Sequence, residues 1–392
     1  MNTAVKSSKL QLLILLVLNY FTFMLITNII GVLFVNWEAD FRLKPEVSKF
    51  LGAAFFIAYG LTSLPNGLLL ERIGSKNTFL YAVALIFIGS LIFAMFPSFY
   101  TGLFSLFITG AGVTALQIVG NLLVKKVDDD PEKYSRNLTM AQVFCGLGGM
   151  SGGLLNSWMS STFENYNWTI FYYIFAGLIL ALGILAFFTP MPDSEEKKES
   201  PGWGDYIKLL INPTMLMFAL GIFIYVGIEV GIANWIVNYL KGNLAYNAGD
   251  AGIIFSFYWG AQAIGRFTSG FVLNYLDNSK ALILYAISAL TSLLVAVFTK
   301  SPAIAGMAFI AVGFFTSVMF PVIFSLAVNT FDDKKESVAG ILCTAIIGGS
   351  VIQLLIGYFA NIISLNMSLA IISTICFLYI AYIGFNTVKA KK

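Results

Sequence analysis

Two ionisable side chains lie where charge is hardest to keep. Glu229 is the one charged residue between Lys208 and Lys241, and Arg266 the one between Asp250 and Asp277. A carboxylate in such a setting binds a proton or accepts hydrogen bonds from hydroxyls, and a guanidinium there pairs with an anion or braces helix ends. At ~1.5 Å of rise per residue their expected depths differ by about 10 Å, so a direct ion pair needs kinks or long side chains. Trp259, Gln262 and Arg266 share one helical face at i, i+3 and i+7, beside Tyr258. Indole stacks on the apolar face of a polyhydroxylated ring, and amides both give and take hydrogen bonds with its hydroxyls. Gln117 and Asn121 at i, i+4, with Gln142, Asn19 and Asn28, extend this polar set. Gly221, Gly227 and Gly231 precede Asn234 and Trp235, a spacing that predicts a helix bent or unwound at a gate. With Arg266 as its lone cation, the set suits a neutral solute and not a phosphorylated or strongly anionic one.

The elements that position these groups follow from composition. Of 392 residues, 58% are hydrophobic and 11% charged, against roughly 25% charged in soluble proteins. Mean hydropathy is +0.83. The chain has no histidine and three cysteines, which excludes Ser-His-Asp and Cys-His catalysis and Cys/His zinc sites. It reads as neither an enzyme nor a nucleic-acid binder, because its charges lie in short clusters between long uncharged runs. The reading calls for no cofactor and no metal. Its solvent is the lipid bilayer.

Runs long enough to cross a bilayer, about 20 apolar residues each, predict twelve membrane-spanning helices. They lie near residues 10–36, 50–70, 77–95, 100–124, 138–160, 169–190, 213–240, 249–275, 281–299, 302–328, 338–360 and 365–385. Seventeen of the 23 Lys and Arg fall on the side of the N-terminus and five on the other, which predicts a cytoplasmic N-terminus and C-terminus in an inner membrane. The polar segment from Met191 to Asp205 falls at the midpoint. The expected organisation is a six-helix half at 1–190, a cytoplasmic linker at 191–210 and a second half at 211–392, working as a monomer.

An internal repeat supports two pseudo-symmetric halves. Ser75–Ala82 (SKNTFLYA) resembles Ser279–Ala286 (SKALILYA), 204 residues on; the same shift carries Val127–Asp129 onto Phe331–Asp333, and Gly148-Gly149 matches Gly348-Gly349. The loop Gly67-Leu-Leu-Leu-Glu71-Arg72-Ile-Gly74-Ser-Lys76 resembles the signature G-x-L-x-D-R-x-G-x-K/R of the major facilitator superfamily, with Glu71 in the aspartate position. Gly67 permits close helix approach, Gly74 a tight turn, and the charges clamp helix ends, which makes these residues gating candidates.

Segments around Tyr225–Gly231, Gly265–Thr268, Phe320–Leu326 and Ile346–Gly349 resemble the fucose permease branch, the fucose-galactose-glucose:proton symporters of that superfamily. The resemblance implies an all-α membrane fold and proton-coupled uptake of a sugar or similar neutral polyhydroxylated solute by alternating access. It places Glu229 in the branch's polar site of span seven; the reading of the residues themselves expects Glu229, Trp235, Trp259, Gln262, Asn28, Gln117, Asn121 and Gln142 to bind substrate, Glu229 also to serve coupling, and Arg266 to help close the cytoplasmic side. The first half departs from the pattern: where the branch carries an acid in span one and a glutamate in span four, this chain has Asn28 and Gln117. Amides do not titrate, so Glu229 is left to carry proton coupling, and Na⁺ coupling or uncoupled facilitation stays open. A drug:proton antiporter, using Glu229 and a wide Phe-lined cavity, keeps the same fold.

Overall fold

The computed structural model describes residues 3–43, 45–126, 131–163, 166–191, 203–246 and 248–390. Among them the secondary structure is helical: α1 (Thr3–Asp40), α2 (Pro45–Met95), α3 (Phe99–Lys125), α4 (Pro131–Ala141), α5 (Val143–Thr162), α6 (Ile170–Phe188), α7 (Trp203–Leu210), α8 (Pro213–Leu244), α9 (Ala248–Val272), α10 (Asn278–Phe298), α11 (Pro302–Thr316), α12 (Met319–Thr330), α13 (Lys335–Thr344), α14 (Gly348–Ala360) and α15 (Leu365–Ala390). Their ends follow the sequence. Ser98 caps α3 in a reciprocal capping box, Asn212 caps α8 ahead of Pro213, and Asp277 caps α10.

Among the described residues, ten stretches are long and apolar enough to cross a membrane. One of them, Phe50–Met95, holds two crossings. Gly74 stands at φ 81° inside α2, a conformation other residues resist, and the chain doubles back there. The backbone of Phe55 lies against Gly110 and that of Ala82 and Ile86 against Gly112, so the two arms meet neighbouring turns of α3. The remaining crossing is α9, whose polar stripe makes it the least apolar of the set. Twelve crossings result, with α4 and α5, α11 and α12, and α13 and α14 each forming one interrupted span.

The halves meet where α2 packs on α13 and α5 on α9. A Cβ on Gly340 of α13 would stand 3.3 Å from the Ser63 carbonyl and 3.7 Å from the Gly67 Cα; at the corresponding crossing, Gly146 of α5 lies against the backbone of Ala263 in α9. Backbone thus approaches backbone at both seams, as the small residues there allow. Most of the predicted linker, residues 192–202, and the Val127–Asp129 part of the repeat lie outside the described residues.

One expectation is corrected. Span seven is an unbroken 32-residue helix, α8. Its glycines are packing notches: Gly221 receives Ile383, Gly227 receives Ile352 and the Gly348 carbonyl, and Gly231 receives Ile356. The interruptions fall elsewhere, at Gln142, at Ser317–Val318 and at the 3₁₀ turn Ala345–Ile347.

A candidate transport cavity

A cavity of about 240 Å³ lies between the halves, with α1 and α8 facing each other across it. Its walls use the later part of α1 (Phe23 to Phe34), the later part of α8 (Val226 to Asn238) and the earlier part of α9 (Phe255 to Arg266). It therefore occupies the bundle from mid-depth toward the end away from the termini.

Glu229 and Arg266 form its floor, 6% and 3% exposed. The Glu229 Oε1 accepts hydrogen bonds from the Tyr225 hydroxyl and the Gln262 Nε2, and the Arg266 Nη2 stands 3.9 Å away. The long arginine side chain closes the gap in depth that the sequence implies, without a kink in α8. Arg266 also donates from Nε to the Ser317 carbonyl at 3.3 Å and from Nη1 to the Gln142 carbonyl at 3.1 Å. Both acceptors sit at helix interruptions. Pro321, four residues after Ser317, has no N–H to return the usual helical bond, so the Ser317 carbonyl is free to receive the guanidinium. This is a signal already present in the sequence. A charge this deep needs a counter-ion and several hydrogen bonds to offset its lost hydration, and Arg266 has both.

The Gln142 contact crosses from one half to the other. Further polar contacts cross on the termini side: Lys125 pairs with Asp332, the Arg136 Nη1 donates to the Asn274 Oδ1 at 3.0 Å, and the Ser337 hydroxyl donates to the Glu71 Oε1 at 2.8 Å. That end is closed. Of the loop residues singled out in the sequence, Glu71 and Gly67 touch the opposite half, Gly74 makes the turn, Lys76 lies 5.5 Å from the ring centre of Phe187 in its own half, and Arg72 is exposed.

Asn28, Gln117, Gln142, Trp235 and Trp259 line the cavity together with Glu229 and Arg266. Trp259 is 2% exposed and its Nε1 has no partner, so a buried donor stands at the wall. Asn121 and Gln262 do not line it. The Asn121 Oδ1 accepts from the Tyr20 hydroxyl at 2.8 Å and from the Gln142 Nε2 at 3.4 Å, and its carbonyl accepts from Tyr134 at 2.9 Å; it ties α1, α4 and α3 together behind the wall. Gln262 stands behind Glu229 and orients it, with its own Oε1 unpartnered. Sequence reasoning did not single out Thr27, Tyr59, Asn238 and Gln353 as lining residues, and the structure adds them. Cys145 also reaches the wall, while Cys343 and Cys376 are buried elsewhere.

The only charged residues in this lining are Glu229 and Arg266, which face each other, so the wall carries no net charge. Six amides, two indoles and the hydroxyl residues Thr27 and Tyr59 supply the rest of its polar character. Such a surface can bind a neutral solute rich in hydroxyls, with few groups placed to hold a formal charge.

Comparison with known proteins agrees with this architecture. The sequence profile of the Major Facilitator Superfamily matches residues 16–346. A glucose/galactose transporter of Brucella abortus biovar 1 (strain 9-941) is 32% identical, over 94% of this chain and 92% of that protein. The L-fucose-proton symporter of Escherichia coli (strain K12) is 21% identical, over 91% and 89%. The crystal structure of FucP, a Major Facilitator Superfamily transporter in the outward conformation, superposes with a TM-score of 0.83 at 20% identity, covering 96% of this chain and 98% of that one. Profile, relatives and twelve-span architecture together establish that the chain belongs to the Major Facilitator Superfamily.

Proposed function

We propose that this protein is a sugar transporter of the inner membrane that takes up a neutral hexose-like solute by alternating access, driven by protons. One observation carries the reading: a cavity between the halves whose two charges face each other and whose remaining polar groups are uncharged, chiefly amides and indoles. The names of the relatives, a glucose/galactose transporter and an L-fucose-proton symporter, support the substrate class and the coupling ion.

Trp259 and Trp235 stack on the sugar ring, and Asn28, Gln117 and Gln142 read its hydroxyls. Asn121 and Gln262 act one layer back, holding Gln142 and Glu229 in place. Glu229 is the proton site, being the one carboxylate at the wall. Arg266 braces the closed end through Gln142, and Gly67, Glu71, Arg72, Gly74 and Lys76 form the gate on the same side. Both termini are cytoplasmic, as the charge distribution predicts, so the cavity faces outward. The working unit is the monomer, since each half contributes to one central cavity.

The test is uptake of radiolabelled glucose, galactose, fucose and N-acetylglucosamine into proteoliposomes under an imposed proton gradient, an imposed Na⁺ gradient, or neither. Saturable uptake of at least one sugar, faster with the proton gradient, is the expected result. Uptake indifferent to both gradients would make the protein a facilitator, and transport of none of the four would overturn the sugar reading.

A further inference from the structure

Above the floor of the cavity stands a second polar cluster that the Glu229 chemistry does not use. The Asn234 Nδ2 of α8 donates to the Gln353 Oε1 of α14 at 2.5 Å, and the Trp235 Nε1 donates to the Gln353 carbonyl at 3.2 Å. The Trp235 ring fits over Gly357, whose missing side chain makes room for it: a Cβ there would fall 2.8 Å from the indole Cζ2. Indole and amide together fix α14 against α8. All three polar residues face the cavity, and Asn234 is exposed to it.

The chemistry left over by this pairing is definite. An amide offers one C=O acceptor and one NH₂ donor. Whichever way the two amides are turned, their mutual bond uses one N–H and one C=O. One carbonyl oxygen and one NH₂ group of the pair therefore remain for a third partner. A sugar hydroxyl, which donates one hydrogen and accepts another, is complementary to that pair; a carboxylate or an ammonium meets only half of it. The facing helix presents no side chain here, because the residue of α1 opposite the Asn234 Oδ1 is Gly31, whose Cβ would stand 3.8 Å from it, at ordinary contact distance. Five residues of α8 separate Asn234 from Glu229, a rise of about 7–8 Å, which one hydroxylated ring with a hydrogen bond at each end can bridge.

We infer that Asn234 and Gln353 form a second hydroxyl-binding subsite, which holds the end of the sugar remote from Glu229 and sets specificity at one hydroxyl position. The inference rests on the sugar-transport reading. Gln353 is the reading residue, and Asn234 acts both as its partner and as the second half of the pair. Trp235, which the proposed reading stacks on the ring, also holds α14 in register through its bond to the Gln353 carbonyl.

Competition uptake with the transported hexose and each of its monodeoxy analogues tests this. The parent should discriminate against every analogue that lacks a bound hydroxyl, by about 3- to 10-fold for a lost neutral hydrogen bond. Gln353→Ala should weaken the hexose by a similar factor and remove discrimination at one position alone, leaving the others as in the parent. Asn234→Ala removes the pair from the other helix and should erase the same position; it carries the test should Gln353→Ala not reach the membrane. Trp235→Phe should weaken all ligands together and keep every ratio, which separates bracing of the helices from reading of the hydroxyl. Ratios unchanged in Gln353→Ala and Asn234→Ala, or falling together at all positions, would overturn the subsite while leaving sugar transport standing. A parent that transports no sugar would overturn both.

Discussion

The two halves meet the cavity with different chemistry. From the first half come Asn28, Gln117 and Gln142, uncharged, with Gln142 held by Asn121, which also receives Tyr20. From the second come Glu229 and Arg266, charged, with Tyr225 and Gln262 directed at the carboxylate. The first half is a scaffold of neutral hydrogen bonds that leaves little to titrate. The second concentrates all the charge of the cavity wall into one carboxylate and one guanidinium. They touch chemically through Arg266, which reaches the backbone of Gln142. A proton arriving at Glu229 changes the charge beside Arg266, and Arg266 holds the seam. On the proposed reading, binding chemistry is shared between the halves, whereas the charged pair that links the cavity to the seam belongs to the second.

The largest effect that tests this contrast is on the charged pair. Arg266→Gln leaves Glu229 buried with neutral donors only, and removing one partner of a buried pair costs on the order of 3 kcal/mol. We expect a clear fall in the thermal unfolding temperature in detergent. The double variant Glu229→Gln/Arg266→Gln should recover most of it, and a double variant as unstable as the single would show that the two charges are not coupled. Next comes Glu229→Gln alone. It keeps the shape of the side chain but does not titrate, so stimulation of uptake by a proton gradient should vanish, while sugar exchange across equal concentrations persists. Stimulation that survives would place the proton site elsewhere.

In the first half, Asn121→Ala should cost about 1–2 kcal/mol of stability, because the Tyr20 hydroxyl loses its buried acceptor. It should leave the ranking of sugars intact, since Asn121 does not reach the cavity; a changed ranking would return it to the substrate site. Gln117→Glu converts the contrast itself. It installs a carboxylate at the wall of the neutral half, and its expected signature is a second proton moved per cycle, read from the dependence of sugar accumulation on the imposed gradient.

What could be read before folding follows from the rarity of each signal. Charge inside a long apolar run is scarce, so Glu229 and Arg266 stand out, and the runs themselves specify twelve spans. Amides are ambiguous by residue type. Gln117 and Asn121 lie on one helical face, yet packing turns the first to the cavity and the second toward Tyr20 and Tyr134. Gln353 is a single amide in an apolar helix and looks like any interhelical bridge until its partner Asn234 is known. The glycines of α8 misled for a related reason: a missing side chain serves a bend or a close neighbour equally well, and only the positions of Ile352, Ile356 and Ile383 decide between them. The break at Ser317 was legible through Pro321, while the one at Gln142 has no proline or glycine beside it.

The smallest expected effect lies at the rim of the closed end, and it sharpens the contrast between a buried tether and an exposed one. Lys125 and Asp332 also join the halves, but Asp332 has 67% of its side chain in solvent against 4% for Arg266. Exposed pairs contribute roughly 0.2–1 kcal/mol and are screened by salt. Asp332→Asn keeps Lys125 in place near the Tyr134 ring, 5.8 Å from its centre, and removes the negative charge from the ion pair. The termini-side population should open by a few-fold at most, measured as the alkylation rate of a cysteine reporter on that side, and the difference from the parent should disappear in molar salt. Arg266→Gln should raise the same rate further and keep its effect at every salt concentration, because the contact it breaks is buried. Equal salt sensitivity of the two variants would mean that the closed end is held by its rim and not by the floor of the cavity.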